Sequence, residues 1–374
     1  MRRLLILTCA MVLVDTIFYA ALTPLVPYFT GELGLSKSAV GVLSGAFGVG
    51  VLLGSAPAGY LAARLGVKPT ALLGLVLMSA TSLLFGFAEA AWSLVTLRLL
   101  AGVGSALSWV SAFTWLVARA PEEQRGQMIG TLVSAAVVGA LLGPVLGGAA
   151  ATVGISVTFA LVSVFGLAVA LWVLLTPAPS PPGSGLFFGF FTAFSRPNLR
   201  VGLAFIGFSP LLFGVLTVLA PLQLSSLGWG AFAVGIVFLA AAAVESVVHP
   251  LLGRWSDRAG YRPPILAGLL ASLIVLLLLP WAGTPLLVAL LIVLAGGAFN
   301  APLVPGTSMF SRAAEKAGVE GALAFGATNF AWAAGYAVGA SLGGVLSDLG
   351  GDLLAYSILA AVCLLALVPM RRPV

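Results

Sequence analysis

The chain has 374 residues, of which 61% are hydrophobic and only 7% charged, against roughly 25% charged in an ordinary soluble domain. Its 17 Lys+Arg and 11 Asp+Glu cannot coat a soluble body of this size, which excludes a water-soluble enzyme, a nucleic-acid-binding domain and a disordered tail. With a mean hydropathy of +1.16, lipid is the solvent for most of the chain.

The first apolar run begins after Arg2 and Arg3 and passes through Asp15 to about Phe29. No small-residue cleavage pattern ends it, so it reads as a retained span and not a secretory leader. A helix needs about 20 apolar residues to cross a bilayer core. The sequence offers twelve such stretches: about 4–29, 39–63, 69–87, 92–118, 128–151, 155–176, 200–224, 231–252, 264–280, 285–310, 321–346 and 353–369. Every backbone group in lipid needs a partner, so an all-α integral membrane protein is expected. The alternation of an outer-membrane barrel is absent.

The longest connection, Pro/Ser/Gly-rich at its start, divides the chain into a six-helix bundle at 1–176, a cytoplasmic linker at 177–198 and a second six-helix bundle at 199–374. Placing the N-terminus in the cytoplasm puts Arg2, Arg3, Arg64, Lys68, Arg119, Arg125, Arg196, Arg200, Arg254, Arg258, Arg262, Arg312, Lys316, Arg371 and Arg372 inside. Only Lys37 falls in an outer loop, and Arg98 lies within a span. This bias places both termini in the cytoplasm of a multi-pass protein of the cell's inner (plasma) membrane. Trp92, Trp229 and Trp281 fall at outer span ends, as interfacial belt residues do. Cys9 and Cys363 sit in apolar runs at opposite ends and read as small hydrophobes, not as a disulfide.

The two halves repeat each other. Gly59, Arg64, Gly66, Lys68 and Pro69 after the second stretch recur 194 residues later as Gly253, Arg258, Gly260, Arg262 and Pro263. Gly139, Gly143, Gly147 and Gly148 recur 196 residues later as Gly335, Gly339, Gly343 and Gly344. Two six-span repeats are a secondary-transporter architecture, with the substrate site near mid-membrane between them.

The motifs carry a family likeness over nearly the whole chain. The loop Gly59–Lys68, and more closely Gly253–Arg262, resembles the G-x-L-x-D-R-x-G-R-K signature of the major facilitator superfamily. Arg98-Leu-Leu-Ala-Gly102-Val-Gly104-Ser-Ala106 resembles its R-x-x-x-G-x-G-x-A signature. Gly139-Ala-Leu-Leu-Gly143-Pro144-Val-Leu-Gly147-Gly148 resembles the G-x-x-x-G-P-x-x-G-G signature of exporters, above all twelve-span drug/proton antiporters. The resemblance implies the major facilitator fold, two pseudo-symmetric bundles of six helices, and alternating access. It also implies that the loop after span two pairs with the opposite half; Ala63 replaces the usual Asp there, whereas Asp257 keeps it.

Four residues are candidates for proton coupling. Asp15 sits near the middle of span one, where a charge costs at least ~2.5 kcal/mol, and a carboxyl that gains and sheds a proton in a cavity is what coupling requires. Glu245 is a second intramembrane acid, with His249, the sole histidine, one turn away on the same face. Arg98 should face the cavity or backbone carbonyls; its depth differs from that of Asp15 by about 12 Å at 1.5 Å per residue. Phe18 and Tyr19 share the face of Asp15, and Trp109, Phe299, Asn300, Asn329, Trp332 and Tyr336 are mid-membrane residues that could line a pocket. Aromatic faces with a few fixed polar groups suit lipophilic or cationic ligands.

Conformational roles are expected for the loop residues Gly59, Arg64, Gly66, Gly253, Asp257, Arg258 and Gly260, and for Gly139, Gly143, Pro144 and Gly147 as a hinge or sliding seam between the halves. Asp257 is expected to dock near Glu122, Glu123 and Arg125 at the start of span five when the inner side closes. The combined expectation is a monomeric secondary transporter, proton-coupled, exporting small lipophilic or cationic drug-like compounds. It needs no cofactor beyond the proton gradient, no metal and no nucleic acid, and its partners are substrate, protons and lipid. The alternative is coupled or facilitative transport of a specific metabolite such as a sugar or amino acid. A channel would need filter rings, and an enzyme a nucleophile–base or metal constellation; neither pattern is visible.

Overall fold

The computed structural model describes residues 1–121, 124–178, 197–317, 319 and 321–367. Among these residues eleven helical segments are long and apolar enough to cross a membrane: Arg2–Gly31, Lys37–Arg64, Val67–Phe85, Ala91–Arg119, Arg125–Val153, Ile155–Leu175, Leu199–Ser226, Ala231–Ala259, Arg262–Trp281, Pro285–Lys316 and Ala324–Leu367. The last breaks at Gly350 and Gly351, where φ reaches +75°, and so supplies two spans. Spans 1–12 take this order, span 11 being 324–349 and span 12 being 352–367. The linker expected at 177–198 lies almost wholly outside the described residues, as do Glu122, Glu123, Arg196, Arg371 and Arg372.

Short connections make successive spans antiparallel, so Arg64, Arg119, Arg125, Arg258 and Arg312 gather at one end. Lys37 marks the other. The tight turns rest on glycine. Gly66 (φ +96°) starts span 3 and Gly260 (φ +79°) ends span 8, the repeated loop position in each half. Only glycine enters that region without strain. Gly59 and Gly253, by contrast, have open space or ordinary contact around them. Arg64 lies over the Tyr60 ring at 5.1 Å, and Arg258 is exposed.

The glycine stripes do not form the seam expected of them. Gly139, Gly143 and Gly147 lie against Leu13, Ile17 and Ala21 of span 1, inside the first group of six spans. Gly335, Gly339 and Gly343 lie against Gly207, Leu211 and Val215 of span 7, inside the second. A side chain at most of these positions would strike a backbone carbonyl. They bring helices together within each group, where apolar lipid gives helices no hydrophobic reason to associate.

The seams between the groups use other small residues. Gly41, Gly45 and Gly48 of span 2 face Ala340, Ser341, Ala337 and Ala333 of span 11, and Gly344 faces the Lys37 carbonyl. Gly235 of span 8 faces the Pro144 carbonyl of span 5, and Gly148 faces the Ala231 carbonyl. The two seams are copies: Lys37 and Gly41 become Ala231 and Gly235 on adding 194, while Pro144 and Gly148 become Ala340 and Gly344 on adding 196. Pro144 thus belongs to the boundary, whereas Gly139, Gly143 and Gly147 do not.

These contacts shut the Lys37 end, and a polar latch reinforces them. Lys37 Nζ donates to Asp352 Oδ1 at 2.7 Å and to Ser347 Oγ at 3.0 Å. The Ser347 hydroxyl also bonds Asp352. The Ser38 backbone N–H donates to Asp348 Oδ2 at 2.8 Å. At the arginine-rich end, Gly126 and Gly130 of span 5 have nothing within 4 Å, and Arg254, Trp255 and Asp257 of span 8 are exposed.

Two outcomes follow for this packing. Gly143→Leu should destabilise the purified protein by about 1–3 kcal/mol through overpacking, seen as a lower thermal transition, whereas Gly126→Leu should leave it unchanged. Lys37→Ala should shift the equilibrium by up to about 1 kcal/mol, roughly fivefold, toward opening at its own end. Maleimide labelling of a Val40→Cys variant reads this as a several-fold faster rate, with Asp352→Ala giving the same effect and the double variant no more.

Candidate functional site

Span 1 is a broken helix. A regular helix runs Arg2–Ala20, a single tight turn occupies Thr23–Leu25, and a second short helix runs Val26–Gly31. The regular helix ends at Ala20, ahead of Pro24 and Pro27, and its last carbonyls, those of Phe18 and Tyr19 among them, are left in need of partners. Arg98 of span 4 meets that need. It is 0% exposed, donates to the Phe18 carbonyl at 3.3 Å and the Tyr19 carbonyl at 3.4 Å, and lies over the rings of Phe18 and Phe47 at 5.4 and 4.9 Å. A cation at the carbonyl end of a half-helix is electrostatically favourable. Arg98 makes no ion pair with Asp15 within 4.0 Å, so of the two expected environments it takes backbone carbonyls.

Asp15 lies one turn from this break and points into protein. It is 3% exposed. Trp109 Nε1 of span 4 donates to Asp15 Oδ2 at 2.6 Å, while Oδ1 has no well-formed hydrogen bond and the Ser105 hydroxyl of span 4 stands within reach of the carboxyl as a second donor. Trp109 therefore serves the carboxyl directly.

Tyr19 stands at the boundary between the two groups of spans. Its ring is 5.1 Å from Phe47 of span 2, 5.4 Å from Trp332 and 5.1 Å from Tyr336, both of span 11. Trp332 and Tyr336 stack on each other at 5.5 Å and 6°. The structure thus joins three of the eight residues expected in a pocket and adds Phe47. Phe18 and Phe299 are corrections. Phe18 is 1% exposed and packs edge-on to Phe159; Phe299 is 0% exposed in the apolar core. Asn300 donates to the Gly296 carbonyl of its own helix at 3.2 Å, whereas the buried Asn329 Nδ2 has no partner.

A second aromatic contact crosses the boundary toward the arginine-rich end. Phe113 of span 4 stacks on Phe325 of span 11 at 4.1 Å and 6°, and Trp109 stacks on the same Phe325 at 5.9 Å. Neither phenylalanine was among the expected site residues, though the spacing held a signal. Phe113 follows Trp109 by one turn, and Phe325, Asn329, Trp332 and Tyr336 recur on one face.

On span 8, Glu245 Oε1 lies 3.6 Å from His249 Nε2, and both side chains are partly exposed. This is the one-turn pairing expected from spacing. Glu245 is within electrostatic reach of Tyr19. The Asp257 carboxylate lies 3.8 Å from Arg312 of span 10, within the same group of spans, and both groups are largely exposed; Glu122 and Glu123, beside which it is expected to dock on closure, lie outside the described residues. No cluster of three or more His, Cys, Asp or Glu is placed to hold a metal among the described residues.

A helical membrane protein with two copied seams and a charged interior between them is also what comparison finds. The model of the Major Facilitator Superfamily matches residues 7–319 and, in a second match, 203–373. The chain belongs to this superfamily. A chloramphenicol resistance protein of Streptomyces lividans is 30% identical over 374 residues, covering 94% of this chain and 91% of that protein. Among solved structures, a bacterial homologue of the human lysosomal transporter Spinster, in an inward-facing and unoccupied conformation, has a TM-score of 0.77 at 17% identity, covering 98% of this chain and 94% of that one. A D-xylose–proton symporter has a TM-score of 0.75 at 20% identity, covering 98% and 95%. As a major facilitator protein the chain is a membrane transporter for a small molecule and not an enzyme.

Proposed function

We propose that this protein is a proton-coupled exporter of small lipophilic compounds, working by alternating access in the plasma membrane with both termini cytoplasmic. Residues 1–176 and 199–374 are the two moving bundles, joined by 177–198, and one chain is the working unit. The observation that carries this reading is the half-satisfied carboxyl of Asp15. A buried oxygen without a partner is destabilising unless a proton or a ligand donor completes it. Binding moves a conformational equilibrium only through differential affinity for its two states. A proton at Asp15 supplies such a difference, and Glu245 with His249 provides a second acid on the other bundle.

The boundary rings of Tyr19, Trp332, Tyr336 and Phe47 supply a flat apolar surface with few hydrogen-bonding groups, which favours lipophilic or cationic ligands. A sugar or amino acid would need several fixed polar partners, and Asn300 already commits its amide to Gly296. The chloramphenicol resistance relative supports export and a neutral aromatic substrate as a first probe.

The test is gradient-driven flux of chloramphenicol and ethidium in proteoliposomes. Asp15→Asn should lower it at least ~10-fold, which is about 1.4 kcal/mol, while leaving gradient-free exchange intact. Trp332→Ala should raise the half-saturating concentration roughly fivefold, for about 1 kcal/mol of lost ring contact. A full gradient-driven rate in Asp15→Asn would refute coupling through this residue.

A further inference from the structure

We propose that Trp109 is a positioning residue that ties the protonation of Asp15 to an aromatic gate, made by Phe113 and Phe325, at the arginine-rich end. The inference rests on the reading of Asp15 as the coupling acid. Its geometry is independent of that reading.

One indole has two duties here. Its N–H donates to Asp15 Oδ2 at 2.6 Å, and its ring stacks on Phe325 at 5.9 Å and 28°. Phe325 is in turn stacked face to face on Phe113 at 4.1 Å and 6°. Span 4 thus presents two rings, one turn apart, to a single ring from the opposite group of spans. An aromatic constriction excludes water and ions while closed. The two ends are built differently. The Lys37 end is shut by backbone-close contacts along two helix pairs and by the Lys37 latch. At the other end the ring contacts that cross between the groups, among the described residues, are those of Phe325 with Trp109 and Phe113.

An indole N–H is a donor only, and its bond to an ionised carboxylate is charge-assisted and roughly twice as strong as to a neutral acid. With Asp15 ionised, Trp109 is pinned toward span 1 and its ring supports Phe325 from one side. A proton arriving at the unpartnered Oδ1 weakens the bond to Oδ2. Trp109 then relaxes, Phe325 loses a stacking partner, and the arginine-rich end opens. The proton leaves from Oδ1 to water at that end, which restores the carboxylate and the pin. The charged and titratable groups around Asp15 are few: Arg98 on span 4, then Tyr19, Tyr336 and Glu245 around the interior. Spans 3, 5 and 6 carry none in their apolar lengths beyond Lys68 and Arg125 at their arginine-rich ends. Arg98 is held by the Phe18 and Tyr19 carbonyls; of the two donors that face the carboxyl, the Ser105 hydroxyl and the Trp109 indole, Trp109 is the one that also touches the opposite group of spans.

The test is hydrogen–deuterium exchange of residues 109–119 and 324–332 in the full-length protein in nanodiscs. It is read at mildly acidic and mildly alkaline pH, after correction for the intrinsic pH dependence of amide exchange. The wild type should exchange several-fold faster in these segments at acidic pH. Asp15→Asn and Trp109→Phe should be fast at both pH values. Phe325→Leu, which leaves Asp15 and Trp109 in place, should also be fast at both, and Phe325→Tyr should restore the pH response. A wild-type pH response in Trp109→Phe or in Phe325→Leu overturns the gate. If Asp15→Asn abolishes gradient-driven flux while Trp109→Phe keeps its pH response, the gate alone is wrong. If Asp15→Asn keeps both gradient-driven flux and the pH response, the coupling reading fails with it.

Discussion

Close approach of helix backbones is the constraint on which this protein depends. In lipid the hydrophobic effect does not distinguish one helix–helix contact from another, so association falls to dispersion and backbone proximity. The chain has 46 glycines, and many of those inside the spans sit where a carbonyl of the next helix occupies the space of a side chain. The same device serves two purposes. One set, from Gly139 to Gly147 and from Gly335 to Gly343, binds helices within a six-span group. The other, Gly41 with Gly344 and Gly235 with Gly148, joins one group to the other. A seam of backbone contacts can separate and reform without repacking large side chains, which suits a boundary that has to open.

The interior charges obey a second constraint, that each polar group in a dry medium needs a partner. Breaks in helices supply many of those partners. Arg98 is held by the carbonyls at the break of span 1, and Gln223 of span 7 donates to the Leu279 and Ala282 carbonyls where span 9 ends. Several buried polar atoms are still left without a hydrogen bond, Asn329 Nδ2 and Tyr356 Oη among them, and among the described residues Asp15 Oδ1 is the carboxylate oxygen of that set. Its neighbours are the rings at the boundary, so a change of charge there is felt by groups that touch both halves.

The two ends of the boundary differ in kind. The Lys37 end combines two copied glycine seams with a latch that has no copy, since Ala231 and Phe232 replace Lys37 and Ser38 in the repeat. Stacked rings cross the arginine-rich end. The internal symmetry therefore sets the scaffold, and departures from it, the Lys37 latch and the Trp109–Phe325–Phe113 stack, distinguish one side of the membrane from the other.

The linear chain by itself determined the solvent, the helical class, the span count and the repeat, because these follow from hydropathy over about 20 residues and from self-similarity at a fixed offset. It also singled out Asp15, Arg98 and Glu245, since a charge inside an apolar run is conspicuous without coordinates. Only the tertiary structure decided which helix each face meets. A glycine stripe at i, i+4, i+8 looks the same whether it packs within a bundle or between bundles, so nothing in the sequence separates Gly139, Gly143 and Gly147, which pack within one, from Gly41, Gly45 and Gly48, which pack between the two. Phe18 and Tyr19 are adjacent in sequence, yet the turn of the helix sends one into the core and the other to the boundary. The bond between Asp15 and Trp109 joins residues 94 apart, and the rings of Phe113 and Phe325 meet across opposite groups of spans. Periodicity fixes direction around a helix axis but carries no information about what stands opposite; packing of the whole chain supplies that.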